Sequence, residues 1–329
     1  MTTELRNDIL DLSRQDNLGE LTPWFSCTLD NYVQQGRYMN IDGLDQLGNA
    51  IIEDLTCYRR DNRIETVTLG MSGGVDSALT AALFKAAGWR VIGYTLPILQ
   101  DPAETERGVE ACNALGIEHF HIDLTHQYET MLVALSGHDQ RPAESTKEAS
   151  NIQRGNIRAR LRMTTLYDQA HRYGGLVAST DNYSELAAGF WTLHGDVGDL
   201  APIQSLLKSW EVPALSRAVG VPESTWRATP TDGLGISDGD EAQLGATYLQ
   251  WDLMLLRLTE AAGNLPDGGS KDSLAQALEV DADPKAREVF EAVTSRMGRT
   301  WFKRAGTICL PHSVEPRFAD LQELDRLLR

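Results

Sequence analysis

Residues 64–77 read IETVTLGMSGGVDS, and this stretch decides the fold class of the chain. The apolar and β-branched residues at 64–69 predict a strand. Gly70 and the pair Gly73 and Gly74 then turn the chain sharply, and a helix is predicted over 76–87, ended by Gly88. A strand that passes through a glycine-rich turn into a helix is typical of an α/β protein with a parallel sheet.

The turn at 72–77 has the chemistry of a phosphate-binding loop. Glycine has no side chain, so backbone N–H groups can approach phosphate oxygens closely, and Ser72 and Ser77 add hydroxyl donors. The positive end of the following helix faces the same anion, and Asp76 is placed to hold magnesium. The string lacks the Gly-Lys-Ser/Thr of a Walker loop and is not a dinucleotide GxGxxG. It predicts a pyrophosphate cradle that needs no lysine of its own.

The same alternation continues outward from this loop. Further strands are predicted at 90–96, 118–124 and 176–179, and helices at 41–60, 103–115, 127–135, 151–173, 202–219 and 241–262. This order predicts an open parallel sheet with right-handed crossovers and helices on both faces, in a Rossmann-like arrangement. The polar segment 136–150 is predicted to be a loop.

Composition excludes several classes of protein. The chain has 329 residues, 42% of them hydrophobic, and a formal charge of −17, which opposes non-specific binding to nucleic acid. No apolar run reaches the roughly 20 residues that a membrane-spanning helix needs. The four cysteines have no metal-binding spacing. We therefore expect a cytoplasmic protein without a disulfide, a zinc site or a nucleic-acid partner.

The loop resembles the signature of the N-type ATP pyrophosphatases, which have the adenine nucleotide alpha hydrolase-like fold. Several further strings resemble the ammonia-dependent NAD synthetase family in particular. They are Leu96-Pro97, GNIRARLRM at 155–163, TDN at 180–182 with Glu185, Gly189-Phe190, Gly195-Asp196, PTDGL at 230–234 and Lys303-Arg304. The resemblance spans about 40–305, and the order of the strings makes coincidence improbable.

The resemblance implies ATP-dependent amidation of a small-molecule carboxylate through an acyl adenylate, with release of AMP and pyrophosphate. Asp76, Lys208 and Glu185 would be catalytic, and Asp76 and Glu185 would share Mg²⁺. ATP would contact Gly70, Met71, Ser72, Gly73, Gly74, Val75, Asp76, Ser77, Leu96, Thr180, Lys208 and Thr231. The acid substrate would contact Arg160, Asp199 and Lys303, together with the family positions now occupied by Leu193 and Phe302.

Three departures from the family pattern fall on the acid side. Leu193 replaces a lysine that touches the pyridine nucleotide, and Phe302 replaces a histidine before Lys-Arg. The segment 195–202 is also one residue shorter than in the family. The acid is therefore either deamido-NAD or, for a NAD-synthetase-like amide synthetase, another carboxylate such as one of secondary metabolism. Two further hypotheses are a tRNA-modifying pyrophosphatase and an inactive nucleotide-binding partner.

The resemblance also implies an organisation of the chain. We expect an N-terminal extension at 1–40, an amide ligase domain at 41–305 with an insertion at 263–283, and a C-terminal tail at 306–329. The extension is too short for a glutamine amidohydrolase, so free ammonia, or ammonia from a partner, is the expected nitrogen donor. A homodimer is expected, with the helix around 158–173 as its contact surface.

Overall fold

The computed structural model describes residues 2–13, 21–136, 147–230, 239–265 and 269–305. Its sheet has four parallel strands in the order β3-β2-β1-β4: β1 Thr66–Gly70, β2 Arg90–Thr95, β3 Glu118–His121 and β4 Leu176–Val177. The helices are α1 Thr2–Leu12, α2 Pro23–Gln34, α3 Ile41–Asn62, α4 Val75–Ala86, α5 Pro102–Leu115, α6 Thr125–Ser136, α7 Lys147–Arg172, α8 Tyr183–Ala188, α9 Glu211–Ala218, α10 Glu223–Trp226, α11 Asp240–Leu244, α12 Tyr248–Asn264, α13 Lys271–Ala277 and α14 Pro284–Arg304.

Two separate cores confirm that helices cover both faces of the sheet. On one face, Val67 and Leu69 of β1 pack in the same cluster as Leu79 of α4. On the other face, Ile92 of β2 shares a cluster with Leu166 of α7. A fully buried side chain of this size stabilises the fold by about 1.5–3 kcal/mol relative to exposure. The alternation of side chains along the strands therefore produces the predicted three-layer α/β fold.

The N-terminal residues form two helices that pack on the body. Phe25 and Leu29 of α2 are fully buried, and the Tyr32 hydroxyl donates to Glu260 of α12 at 2.9 Å. The Trp24 indole N–H donates to the Leu278 carbonyl at 2.9 Å. The apolar pattern of 1–40 is too irregular to predict these helices, although the buried positions of α2 are spaced as one helix face.

The helix predicted over 202–219 is wrong in its first half. Only α9, Glu211–Ala218, is helical, and residues 202–210 form successive turns. Tertiary contacts compete with a helix here. The Leu206 carbonyl accepts from the N–H of Tyr183, the first residue of α8, at 2.9 Å instead of from a residue of its own segment.

The other long helix, predicted over 241–262, is interrupted. Gly245, with a φ of 75°, ends α11, and Thr247 caps α12 by accepting from the N–H of Gln250 at 3.0 Å. Most of the predicted loop at 136–150 lies outside the described residues, and its last four residues begin α7. No helix within the described ranges combines the length and the apolar character that crossing a membrane requires.

Candidate active site

The glycine-rich loop lies between β1 and α4, at the carboxyl edge of the sheet. Gly73 has a φ of 86°, and a Cβ atom there would collide with the carbonyl oxygen of Glu104. The Ser72 hydroxyl accepts from the N–H of Gly74 at 3.2 Å and lies 3.2 Å from the Ser77 hydroxyl. The backbone therefore turns tightly and presents the N-terminus of α4 to the space beyond β1. A helix start of this kind binds an anion such as phosphate.

A buried lysine and two carboxylates lie directly beside this loop. The Lys208 ammonium forms an ion pair with Asp76 and lies 3.9 Å from Glu185. Burial, followed by the negative charge of Asp76, raises the pKa of Glu185 well above its ordinary value. For Lys208, burial lowers the pKa, but the charges of Asp76 and Glu185 outweigh it and the net direction is upward. Lys208 is therefore held as a cation.

The order of residues at 180–185 explains how Glu185 reaches this position. Asn182 caps α8 by accepting from the N–H of Glu185 at 3.0 Å, and the Glu185 carboxylate receives the N–H of Asn182 at 3.5 Å. The Asn182 side chain also donates to Asp76 at 2.9 Å. Because β4 lies next to β1, the cap of α8 and the start of α4 meet at one edge of the sheet. Glu185 therefore both caps a helix and faces Asp76.

The turns at 202–210 place Lys208 opposite this pair. The N–H of Lys208 donates to the Ser184 hydroxyl at 3.0 Å, and the N–H of Ser209 donates to the buried carboxylate of Asp252 at 3.0 Å. Burial raises the pKa of Asp252 to about 6. The backbone on both sides of Lys208 is thus fixed by side chains from α8 and α12.

Asp76 and Glu185 fit a magnesium site. Their carboxylate oxygens face one common cation, the Lys208 ammonium. No cluster of three or more potential metal-ligating side chains occurs in the part of the chain that the structure describes. Magnesium commonly takes one or two carboxylates and completes its octahedron with water and substrate phosphates. Two carboxylates beside a glycine-rich loop and a helix N-terminus match that pattern.

A cavity of about 840 Å³ extends from this loop to α14. We call the residues 72–77 with Glu185 and Lys208 the phosphate side. The predicted ATP contacts that line the cavity are Gly70, Met71, Ser72, Gly73, Gly74, Val75, Asp76, Ser77, Leu96, Thr180 and Lys208. Thr231 lies outside the described residues, but the neighbouring Pro230 lines the cavity.

We call residues 189–196 and the cationic face of α14 the acid side. Lys303 lines the cavity and donates to the carbonyls of Gly189, at 2.7 Å, and Trp191. Burial lowers the pKa of Lys303. Gly189 follows α8, so Lys303 also stabilises the C-terminus of that helix.

The remaining four predicted acid contacts do not line this cavity within one chain; they are Arg160, Leu193, Asp199 and Phe302. Arg160 donates to the carbonyl of Leu193 at 3.2 Å on the outside of α7. Asp199 accepts from the N–H of Val177 at 2.8 Å and from the Tyr167 hydroxyl at 3.0 Å. The side chain of Phe302 is exposed.

The cavity also contains charged residues to which the sequence analysis assigned no role. Asp181, next to Thr180, is buried, and burial raises its pKa to about 7. Asp196 accepts from the N–H of Thr192 at 2.6 Å, and burial raises its pKa as well. On α14, Arg296 and Arg299 line the cavity with Lys303. Their spacing of three and four residues on one helix was the available signal.

Comparisons with known proteins agree with this geometry. The sequence model of the NAD synthase family matches residues 48–306. An NH3-dependent NAD+ synthetase of Methanosarcina mazei is 32% identical over 268 residues, which cover 79% of this chain and 96% of that protein. Another, from Alkaliphilus oremlandii, is 34% identical over 202 residues, covering 61% and 80%.

Among solved structures, the NMN synthetase of Francisella tularensis superposes with a TM-score of 0.66 at 25% sequence identity. The match covers 82% of this chain and 99% of that one. Fold, cavity and sequence thus agree, and this chain belongs to the NAD synthase family.

Proposed function

We propose that this chain is an ATP-dependent carbon–nitrogen ligase that amidates deamido-NAD with ammonia and releases AMP and pyrophosphate. The observation that carries the proposal is the Lys208 cation between Asp76 and Glu185 at the mouth of the glycine-rich loop. The cavity continues from there to the cationic acid side, so both substrates can meet in one space. Family membership supports the same reaction.

The reaction has two steps. A carboxylate oxygen of the acid attacks the α-phosphorus of ATP, and the bond from that phosphorus to the bridging oxygen breaks to release pyrophosphate. Ammonia then attacks the adenylated carbonyl carbon, the carbon–oxygen bond to AMP breaks, and a proton leaves the nitrogen. Neither step needs a protein nucleophile, so positioning and charge stabilisation account for catalysis.

The phosphate side supplies most of that stabilisation. Backbone N–H groups at the start of α4 donate to the pyrophosphate oxygens, and the Lys208 ammonium stabilises the negative charge that develops at the α-phosphate. Asp76 and Glu185 would hold Mg²⁺, which when bound neutralises charge on the phosphates. The cations of α14 would orient the acid on the opposite side of the cavity.

We further propose that the protein is a cytoplasmic homodimer. Apolar side chains are exposed on α6 and α7, namely Met131, Val133, Leu135, Ile152 and Tyr167. Arg160 and Asp199 lie outside the cavity of one chain, and a second copy on α7 would bring a surface against them. Light scattering during size-exclusion chromatography measures the mass; a monomer at micromolar concentration contradicts the dimer.

The test of the proposed function is ATP–pyrophosphate exchange with each acid in turn. We expect exchange with deamido-NAD and, after addition of ammonium, formation of NAD and AMP in equal amounts. Nicotinate mononucleotide is the second acid, because one structural relative is named NMN synthetase. Exchange that is absent with deamido-NAD but present with the mononucleotide, or with another carboxylate, contradicts deamido-NAD as the substrate and leaves the adenylylation chemistry intact.

A further inference from the structure

Arg107 of α5 is a cation beside the phosphate side, and it lies outside the loop signature and outside the strings that resemble the family. It lines the same cavity as Ser72, Gly73 and Gly74, and its side-chain Nε–H donates to the carbonyl of Gly73 at 3.4 Å. Across the described ranges of the chain, the structure gives its guanidinium no other hydrogen bond and no ion pair. The remaining N–H groups are therefore available to a ligand.

The packing of α5 fixes this guanidinium against the loop. A Cβ atom on Gly73 would collide with the carbonyl of Glu104, one turn before Arg107. A Cβ atom on Gly108, the next residue, would come within 2.5 Å of the Met71 carbonyl. The backbones of α5 and the loop are thus in direct contact on both sides of Arg107. Its side chain starts from a rigid support, which lowers the entropy cost of binding an anion.

The charges on the phosphate side favour a further cation beside the phosphates. The ammonium of Lys208 already faces two carboxylates, Asp76 and Glu185, and the loop itself contains no lysine or arginine. ATP would add several negative charges to this space. A guanidinium is the side chain best suited to phosphate, because its planar N–H groups bind two oxygens at once.

We infer that Arg107 binds the β- and γ-phosphates of ATP, the part of the nucleotide that leaves as pyrophosphate. Lys208 then acts at the α-phosphorus, on one side of the loop, and Arg107 acts on the leaving group from the α5 side. This assignment rests on the proposed function and deepens it. A residue in that position affects the affinity for ATP and pyrophosphate, whereas AMP, which lacks both phosphates, does not depend on it.

Arg107→Gln tests the assignment, because glutamine removes the charge and keeps an N–H donor for the Gly73 carbonyl. Arg217→Gln is the matched control, since Arg217 is exposed on α9 and does not line the cavity. The measurement is calorimetric titration of the full chain with ATP, inorganic pyrophosphate and AMP, each in the presence of magnesium. No acid substrate is needed.

We expect Arg107→Gln to lower the affinity for ATP and for pyrophosphate about 10- to 100-fold, which is the usual effect of losing hydrogen bonds between two charged groups. The affinity for AMP should change less than about twofold. The control Arg217→Gln should bind all three ligands with the affinity of the wild type. Unchanged pyrophosphate affinity, or an equal loss for AMP, overturns the role of Arg107 while leaving the proposed function intact. A wild-type chain that binds neither ATP nor pyrophosphate contradicts both.

Discussion

The phosphate side and the acid side of the cavity are built from different kinds of contact. On the phosphate side, the strands β1 and β4 are neighbours in the sheet, and the residues that follow them meet: Asp76 pairs with Lys208 and receives the Asn182 side chain at 2.9 Å. On the acid side, Lys303 reaches the cavity from α14, 114 residues beyond its partner Gly189, while Arg160, Asp199 and Phe302 stay outside. The sheet edge therefore brings Asp76 and Asn182 together, and the turns at 202–210 add Lys208, whereas the acid side depends on how α14 packs.

The largest expected effect is on the phosphate side. Lys208→Met removes the cation that we propose stabilises charge at the α-phosphate, and we expect acid-dependent ATP–pyrophosphate exchange to fall by about 10²- to 10³-fold. Lys271→Met is the control, because Lys271 pairs with Glu291 on the surface. Circular dichroism should show both variants folded. A loss of less than about tenfold in Lys208→Met would show that the ion pair with Asp76 is structural only.

A smaller effect is expected on the acid side. Lys303→Met should raise the KM for the acid about tenfold and leave the KM for ATP within about twofold, because one charge-assisted contact is lost far from the phosphates. Lys285→Met on the same helix is the control, since Lys285 pairs with Glu288 at the surface. If the KM for ATP rises as much as the KM for the acid, the two sides of the cavity do not bind separate substrates.

The smallest expected effect concerns stability rather than activity. Burial raises the pKa of Glu211 from its ordinary 4.5 to about 7. Between these pH values the folded state holds a proton that the unfolded state has lost, so the contribution of Glu211 to stability is present below pH 4.5 and is lost as the pH rises through 7. Glu211→Gln keeps an acceptor for the N–H of Leu207 and should be about 1–3 kcal/mol more stable than the wild type at about pH 8.

Urea unfolding at about pH 5 and about pH 8 measures this difference, with Glu129→Gln as the control because Glu129 is exposed on α6. The advantage of Glu211→Gln should shrink toward the lower pH. An advantage that is equal at both pH values would show that the carboxylate is not the cause.

Particular residues show how far sequence reasoning reaches. The loop at 72–77, Glu185 and Lys208 are all predicted to bind ATP or magnesium, and the structure gathers them at one edge of the sheet. The segment that carries Lys208 is nevertheless predicted as a helix, since 202–219 is rich in apolar residues. Hydrogen bonds from this segment to α8 and α12 override that local preference, and such long-range hydrogen bonds cannot be predicted from the pattern of residues along the chain. The sequence does not predict that Arg107 lines the cavity, because its position depends on the packing of α5 against the loop.

The sequence by itself determined the four strands, the helices between them, the glycine-rich loop and the family, because these depend on short-range features: alternation of apolar residues, glycine positions and helix caps. Only the tertiary structure decided which side chains share the cavity. Asp181, Asp196 and Arg107 line it, whereas Asp199 instead holds β4 through the N–H of Val177. The physical reason is that a charge becomes part of a site through its burial and its neighbours, and both are set by packing between segments far apart in the chain.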